Sequence, residues 1–182
     1  MKQIKILGLF ILASVFSATT FAQTKMVGGA AMYPTKNIVE NAVNSKDHTT
    51  LVAAVKAAGL VETLESKGTF TVFAPTNEAF DALPAGTVDN LLKPENKQKL
   101  ISILTYHVVP GKYSSRDLMR MAREHMGKAT LKTVECENLY ITVKGKKLMV
   151  TDENGHTADI TIADVNQSNG VIHVINGVLL PK

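Results

Sequence analysis

From Ile38 onward the apolar positions fall at helical spacing. Ile38, Ala42 and Val43 share one face, and beyond Asp47 and Thr49, two capping candidates, Leu51, Val55 and Ala58 continue the period. Gly59 stands where a helix C-terminus places glycine. Val61 and Leu64 predict one more short turn, closed at Lys67-Gly68. Then the period changes. Thr69 to Ala74 (TFTVFA) is β-branched and aromatic, which predicts a buried strand stopped by Pro75. Thr76-Asn77 then cap a short helix carrying Ala79, Phe80 and Leu83, and Val88, Leu91 and Leu92 form another amphipathic piece. Pro94 opens the most regular helix, with Leu100, Ile103, Leu104 and His107 at i, i+3, i+4 and i+7. Ser114 to Met126 reads as helix again, with Ser114 and Asp117 spaced as a capping box.

Beyond Lys128 the pattern is strand and turn. Leu139–Val143, Leu148–Val150 and Ala158–Ile162 alternate, and Gly145, Asn154-Gly155, Asn169-Gly170 and Asn176-Gly177 punctuate them. Val178-Leu179-Leu180 is expected to be the last strand. Helices first and antiparallel strands afterwards predict an α+β fold rather than a βαβ alternation. No internal repeat is present.

The N-terminus is a separate matter. Lys2 and Lys5 precede an apolar run from Ile6 to Val15, and small residues follow as far as Ala22. This predicts a signal peptide over residues 1–22, too short for a transmembrane span of about 20 apolar residues. No transmembrane segment is expected in the mature chain, which would be exported to the periplasm, the cell surface or the extracellular space. Residues 23–36, rich in Gly and Ala and without periodicity, read as a flexible N-terminal arm, and residues 37–182 as one domain.

Composition narrows the function. The 182-residue chain is 45% hydrophobic and 20% charged, an ordinary globular balance. Its net charge of +4 includes both signal-peptide lysines, so the mature chain is near neutral and lacks the basic face of a nucleic-acid binder. The single Cys136 excludes an internal disulfide and is expected to be a half-buried strand residue. No G-x-S-x-G, H-E-x-x-H or glycine-rich phosphate loop is present, and the five histidines show no metal-ligand spacing. No catalytic residue, metal ligand or cofactor is expected, and the chain reads as non-enzymatic. Asp152-Glu153-Asn154-Gly155, with His156 and Asp159 nearby, reads as a hairpin turn with solvated carboxylates, a weak cation site being the alternative.

Three blocks are more specific: TVFAPTNEAF over Thr71 to Phe80, LTYHVVPG over Leu104 to Gly111, and NGVIHVINGVLLP over Asn169 to Pro181. In order and spacing the chain resembles a single fasciclin-type domain from about Ile38 to Pro181. The resemblance implies a wedge of antiparallel strands flanked by helices, no enzymatic activity, and adhesion or matrix contacts. It gives Thr71, Phe73, Pro75, Thr76, Asn77, Phe80, Asn169, Gly170 and His173 structural roles. Tyr106-His107 resembles a pair that the family connects with adhesion. His107 also lies on an apolar helix face, where a buried neutral histidine bonded to backbone is the alternative. Asp164-Val165 sits where adhesion members carry an Asp-Ile pair, and a turn aspartate bonded to its own backbone is its alternative. One departure from the family lies at Cys136-Glu137-Asn138, where Asn138 is expected to supply a left-handed conformation in place of glycine.

The only arginines, Arg116, Arg120 and Arg123, share one helical face. They form either a patch for an anionic polymer or headgroup, or a solvated face with an Arg120–Glu124 helix pair. Two classes of function remain. One is an adhesion or interaction module whose partner is a cell-surface or matrix protein or polysaccharide. The other is a periplasmic accessory or small-ligand-binding protein. No oligomeric state follows from the pattern.

Overall fold

The computed structural model describes residues 24–66 and 68–182, so the expected signal peptide lies outside the described residues. The first half supplies β1 (Lys25–Val27), β2 (Ala30–Met32), α1 (Ile38–Ala42), α2 (Thr49–Ala58), α3 (Val61–Glu65), β3 (Phe70–Pro75), α4 (Asn77–Asp81), α5 (Thr87–Leu91) and α6 (Lys97–Tyr106). The second half supplies β4 (Val108–Pro110), α7 (Ser115–Glu124), β5 (Lys128–Lys132), β6 (Asn138–Lys144), β7 (Lys147–Thr151), β8 (Thr157–Gln167) and β9 (Gly170–Ile175). Seven strands form one sheet in the order β4-β3-β9-β8-β7-β6-β5. The fold is α+β, with helices mainly N-terminal and strands mainly C-terminal, as the periodicity predicts.

Local signals explain most of the boundaries. Asn37 accepts from the Glu40 amide while the Glu40 carboxylate accepts from the Asn37 amide, a closed capping box on α1. Gly59 ends α2 at φ +76°, and Ser114 with Asp117 closes a second capping box on α7. Pro94 opens a 3-10 turn over residues 94–96, and α6 proper begins one residue later.

Strand β3 pairs antiparallel with β4 but parallel with β9. This parallel pair departs from the all-antiparallel expectation: a strand from the first half inserts beside the last one. Both its faces are buried. Phe73 joins a core with Leu118, Leu139, Ile141, Val150 and Ile175 beneath α7. Val72 and Ala74 join Val27, Met32, Ile38, Val165 and Ile172 on the other face. A third cluster fills the space between α2 and α6, around Ala54, Val55, Leu100, Ile103 and Leu104. Strand β8 serves both halves of the sheet. It pairs with β7 through Thr157–Asp159 and with β9 from Ile160 onward, with register shifts between 160 and 162 and between 162 and 165.

Four other expectations are corrected. The expected flexible arm contains a hairpin, β1–β2, whose Val27 and Met32 are buried; their apolar side chains cover the sheet, and Lys25 Nζ donates to the Ala163 carbonyl. Val178 to Leu180 is not a strand, because Leu179 packs as a plug while its amide is taken by a side chain. Cys136 is exposed in a turn and itself adopts φ +67°, whereas Asn138 starts β6. Asp152 is buried rather than solvated, accepting from the amides of Asn154, His156 and Leu180.

The Asn169-Gly170 pair also works differently from a simple hairpin signal. A Cβ at Gly170 would lie 2.1 Å from the Phe70 carbonyl oxygen, so glycine is required there by the approach of β3. Asn169 Oδ1 accepts from the Ile38 amide at 3.0 Å and its Nδ2 donates to the Leu64 carbonyl at 2.6 Å. One side chain thereby ties α1, α3 and the β8–β9 turn together.

Candidate functional site

Two of the sequence-derived pairs sit at the ends of elements that tertiary structure brings together. Tyr106 closes α6 and is fully buried. Its hydroxyl donates to the Asn138 carbonyl at 2.8 Å and accepts from the Glu153 amide at 3.1 Å. Burial pushes its pKa up to about 12. His107 follows as the helix C-cap. Its Nδ1 donates to the Ile103 carbonyl at 2.8 Å, and its Nε2 accepts from the Leu179 amide at 3.0 Å. Burial lowers its pKa to about 4, outweighing the opposing effect of the Ile103 carbonyl. The ring is therefore neutral at pH 7 and holds the C-terminal plug on α6. Neither side chain has a face open to solvent.

Asp164 occupies the second irregular stretch of β8 at φ +57°, a conformation that aspartate tolerates better than most residues. Its Oδ1 accepts from the Ser115 amide at 2.6 Å and its Oδ2 from the Ser115 hydroxyl. Ser115 is the first residue of α7, so a carboxylate from the sheet satisfies a helix N-terminal donor and faces the positive end of the helix dipole. The Asp164 amide donates to His173 Nδ1 at 3.3 Å, while His173 Nε2 donates to the Tyr113 carbonyl at 2.8 Å. His173 is buried, stacks on Phe73 with ring centroids 5.7 Å apart, and has its pKa lowered chiefly by burial. Val165, 1% exposed, points into the core beside Ile172. The turn-aspartate alternative is thus replaced by a clamp across the fold: Asp164 bonds α7, not its own backbone. The β-bulge aims it there.

The TVFAPTNEAF block is wired in the same manner. Thr71 Oγ1 donates to the Gly111 carbonyl and accepts from the Tyr113 amide, fixing the loop that leads into α7. Thr76 caps α4. Asn77 does not cap that helix; its Oδ1 accepts from the Thr50 amide at the start of α2 and its Nδ2 donates to the Lys46 carbonyl. Pro75 ends β3 opposite Ile175, and Phe80 is buried on α4.

What remains exposed is the outer face of α7. Arg116, Arg120 and Arg123 all reach solvent and border a shallow depression with Met119 and Glu124. Arg120 pairs with Asp117 at 3.3 Å rather than with the expected Glu124. Met126, at φ +54°, is fully exposed just beyond the helix. No cluster of three or more His, Cys, Asp or Glu side chains is arranged to hold a metal among the described residues. Asp152 and His156 form a 2.9 Å pair, but backbone amides already occupy the Asp152 oxygens. Sequence reasoning missed Asn41, a buried amide bonded to both the backbone of Tyr33 and the Gln167 side chain. Its apolar neighbours Ile38 and Ala42 carried the only local signal, and they hid it.

Comparison with known proteins places this geometry. The fasciclin domain description matches residues 46–181, and the chain belongs to that family. Protein sll1483 of Synechocystis is 49% identical over 162 residues, covering 89% of this chain and 83% of that protein. Immunogenic protein MPB70 of Mycobacterium bovis is 37% identical over 145 residues, 77% of this chain and 66% of its own length. Among solved structures, the FAS1 domain pair of the insect cell adhesion molecule fasciclin I superimposes with a TM-score of 0.70 at 20% identity, over 80% of this chain and 51% of that one. That likeness establishes the fold. No helix among the described residues is long and apolar enough to cross a membrane.

Proposed function

We propose that the protein is an exported, non-enzymatic interaction module that attaches to an anionic polymer of the cell surface or matrix through the arginine face of α7. The observation that carries this reading is the clamp at the root of that helix. Asp164 and His173, in blocks that resemble the family's motifs, spend their polar atoms on Ser115 and Tyr113. They hold a helix whose opposite face presents three cations to solvent. On this reading Tyr106-His107 and Asp164-Val165 influence adhesion by orienting surface elements, and loss of either pair reduces adhesion through the fold. Membership of the fasciclin family, which includes a cell adhesion molecule of insects, supports the class of function. A single domain binds monovalently, so firm attachment would need several copies at the surface.

The test begins with fractionation of the native host and an adhesion assay on a deletion strain. The expected result is protein at the surface or in the medium and a defect restored by adding back the purified chain. Replacing Arg116, Arg120 and Arg123 together with alanine should abolish that restoration while leaving the melting temperature unchanged. Protein confined to the periplasm with no adhesion defect would sink the reading.

A further inference from the structure

Between the helices and the sheet lies a cavity of about 110 Å³. Its walls are apolar: Val27 and Met32 from the hairpin, Ile38 from α1, Val55 from α2, Val72 from β3 and Ile172 from β9. Three of these precede the residues that the family description matches. Such a lining offers water too few polar partners, and an apolar cavity of this order stays dry yet accepts a benzene-sized guest.

Ser45, His48, Lys56, Thr63, Thr105 and His107 also border it, and His48 stands apart from the others. His48 is 4% exposed, and its Nδ1 lies 2.8 Å from the Ser45 hydroxyl. Its Nε2 has no hydrogen-bond partner, the one buried side-chain nitrogen or oxygen in that condition among the described residues. The Ala74 carbonyl acts on the ring without completing a hydrogen bond. A buried nitrogen without a partner has lost its water and received nothing in return.

We propose that this cavity is a binding site for a compact, uncharged, apolar molecule bearing one hydroxyl group, with the hydroxyl on His48 Nε2 and the hydrocarbon against the apolar walls. The hydroxyl follows from the chemistry of the ring. Ser45 can donate to Nδ1 or accept from it, so Nε2 is an acceptor in one tautomer and a donor in the other. A hydroxyl satisfies either. The absence of charge follows from the walls, since an ion without a partner is costly in such surroundings. Burial also lowers the His48 pKa, leaving a neutral ring, and Lys56, the lysine that borders the cavity, is exposed to solvent. The size follows from the volume, which suits one aromatic ring or a short alkyl chain. The site is separate from α7 and does not depend on the adhesion reading.

The experiment is an NMR titration of the mature chain with 4-methylphenol and, separately, with 1,4-dimethylbenzene, its near-isostere without the hydroxyl. Saturable shifts at the amides of Val27, Met32, Ile38 and Val55 are expected. The informative quantity is the ratio of the two dissociation constants, in which hydrophobic transfer cancels between variants. His48→Leu should shift that ratio about tenfold against the phenol, the size of one lost hydrogen bond. If that variant does not give a folded spectrum, His48→Phe is the replacement. Ala42→Leu, which extends a wall residue into the cavity, should abolish binding of both probes. The proposal is overturned if neither probe produces saturable shifts at the cavity, or if replacing His48 leaves the ratio unchanged.

Discussion

The two faces of the central strands are built on different principles. Beneath α7, Phe73, Leu118, Leu139, Ile141 and Ile175 are completely buried, and the polar groups that enter the region are paired: Tyr106 with two backbone groups, His173 with Asp164 and Tyr113. On the hairpin side, short helices and a three-residue hairpin strand cover the sheet incompletely. A cavity remains, and His48 has an unpaired nitrogen. His107 sits at the boundary and belongs energetically to the tight face, because both its nitrogens are engaged. The tight face supports a surface; the loose one has room for a guest.

That contrast can be broken by mutation, and the largest effects belong to the tight face. His107→Ala removes buried volume and leaves the Leu179 amide and Ile103 carbonyl unpaired; a loss of about 3 kcal/mol in chemical denaturation is expected. Acid tests the same group without mutation. The folded-state pKa of about 4 lies below the ordinary 6.5, so the unfolded chain binds more protons between these values. Stability is full above pH 6.5 and falls as the pH approaches 4, by about 3 kcal/mol from His107. His48 and His173 act in the same direction. A denaturation midpoint that stays flat from pH 7 to pH 4.5 would refute this assignment.

The overpacking comparison comes next. Ala122→Leu on the buried face of α7 is expected to cost about 1–3 kcal/mol. Ala42→Leu on the hairpin side should be neutral or slightly stabilising, because it fills existing space. Equal losses at both positions would erase the distinction. The smallest loss on the tight face is at Asp164. Asp164→Ala loses both the clamp and a residue that tolerates φ +57°, at about 1–2 kcal/mol, whereas Asp164→Gly keeps the backbone relaxed and should lose about half as much. Thermal melts of the two variants rank them.

The elements were legible where one stretch of chain contains its own cause. TFTVFA is a strand because β-branched and aromatic residues fit a sheet buried on both sides, and Ser114 with Asp117 closes its capping box without outside help. The hairpin at 25–32 was not legible, since three-residue strands are too short to show a period. Val178–Leu180 misled for the opposite reason: its apolar run is a plug, and a plug has the same composition as a strand. Asp152 reads from the sequence as a solvated turn carboxylate because nothing near it in the chain shows that Leu180 returns to it.

The family motifs follow the same division. The chain alone determined most of the helices and strands beyond Ile38, the α+β class and the three fasciclin blocks, because periodicity, caps and turn residues act over a few positions. Only the tertiary structure decided what the marked residues do. Asp164 reaches Ser115 across 49 positions, His107 reaches Leu179 across 72, and Asn169 reaches Ile38 across 131. Hydrogen bonds of that span leave no local pattern, because each depends on a bulge, a cap or a parallel strand pair that exists only once the chain has closed on itself.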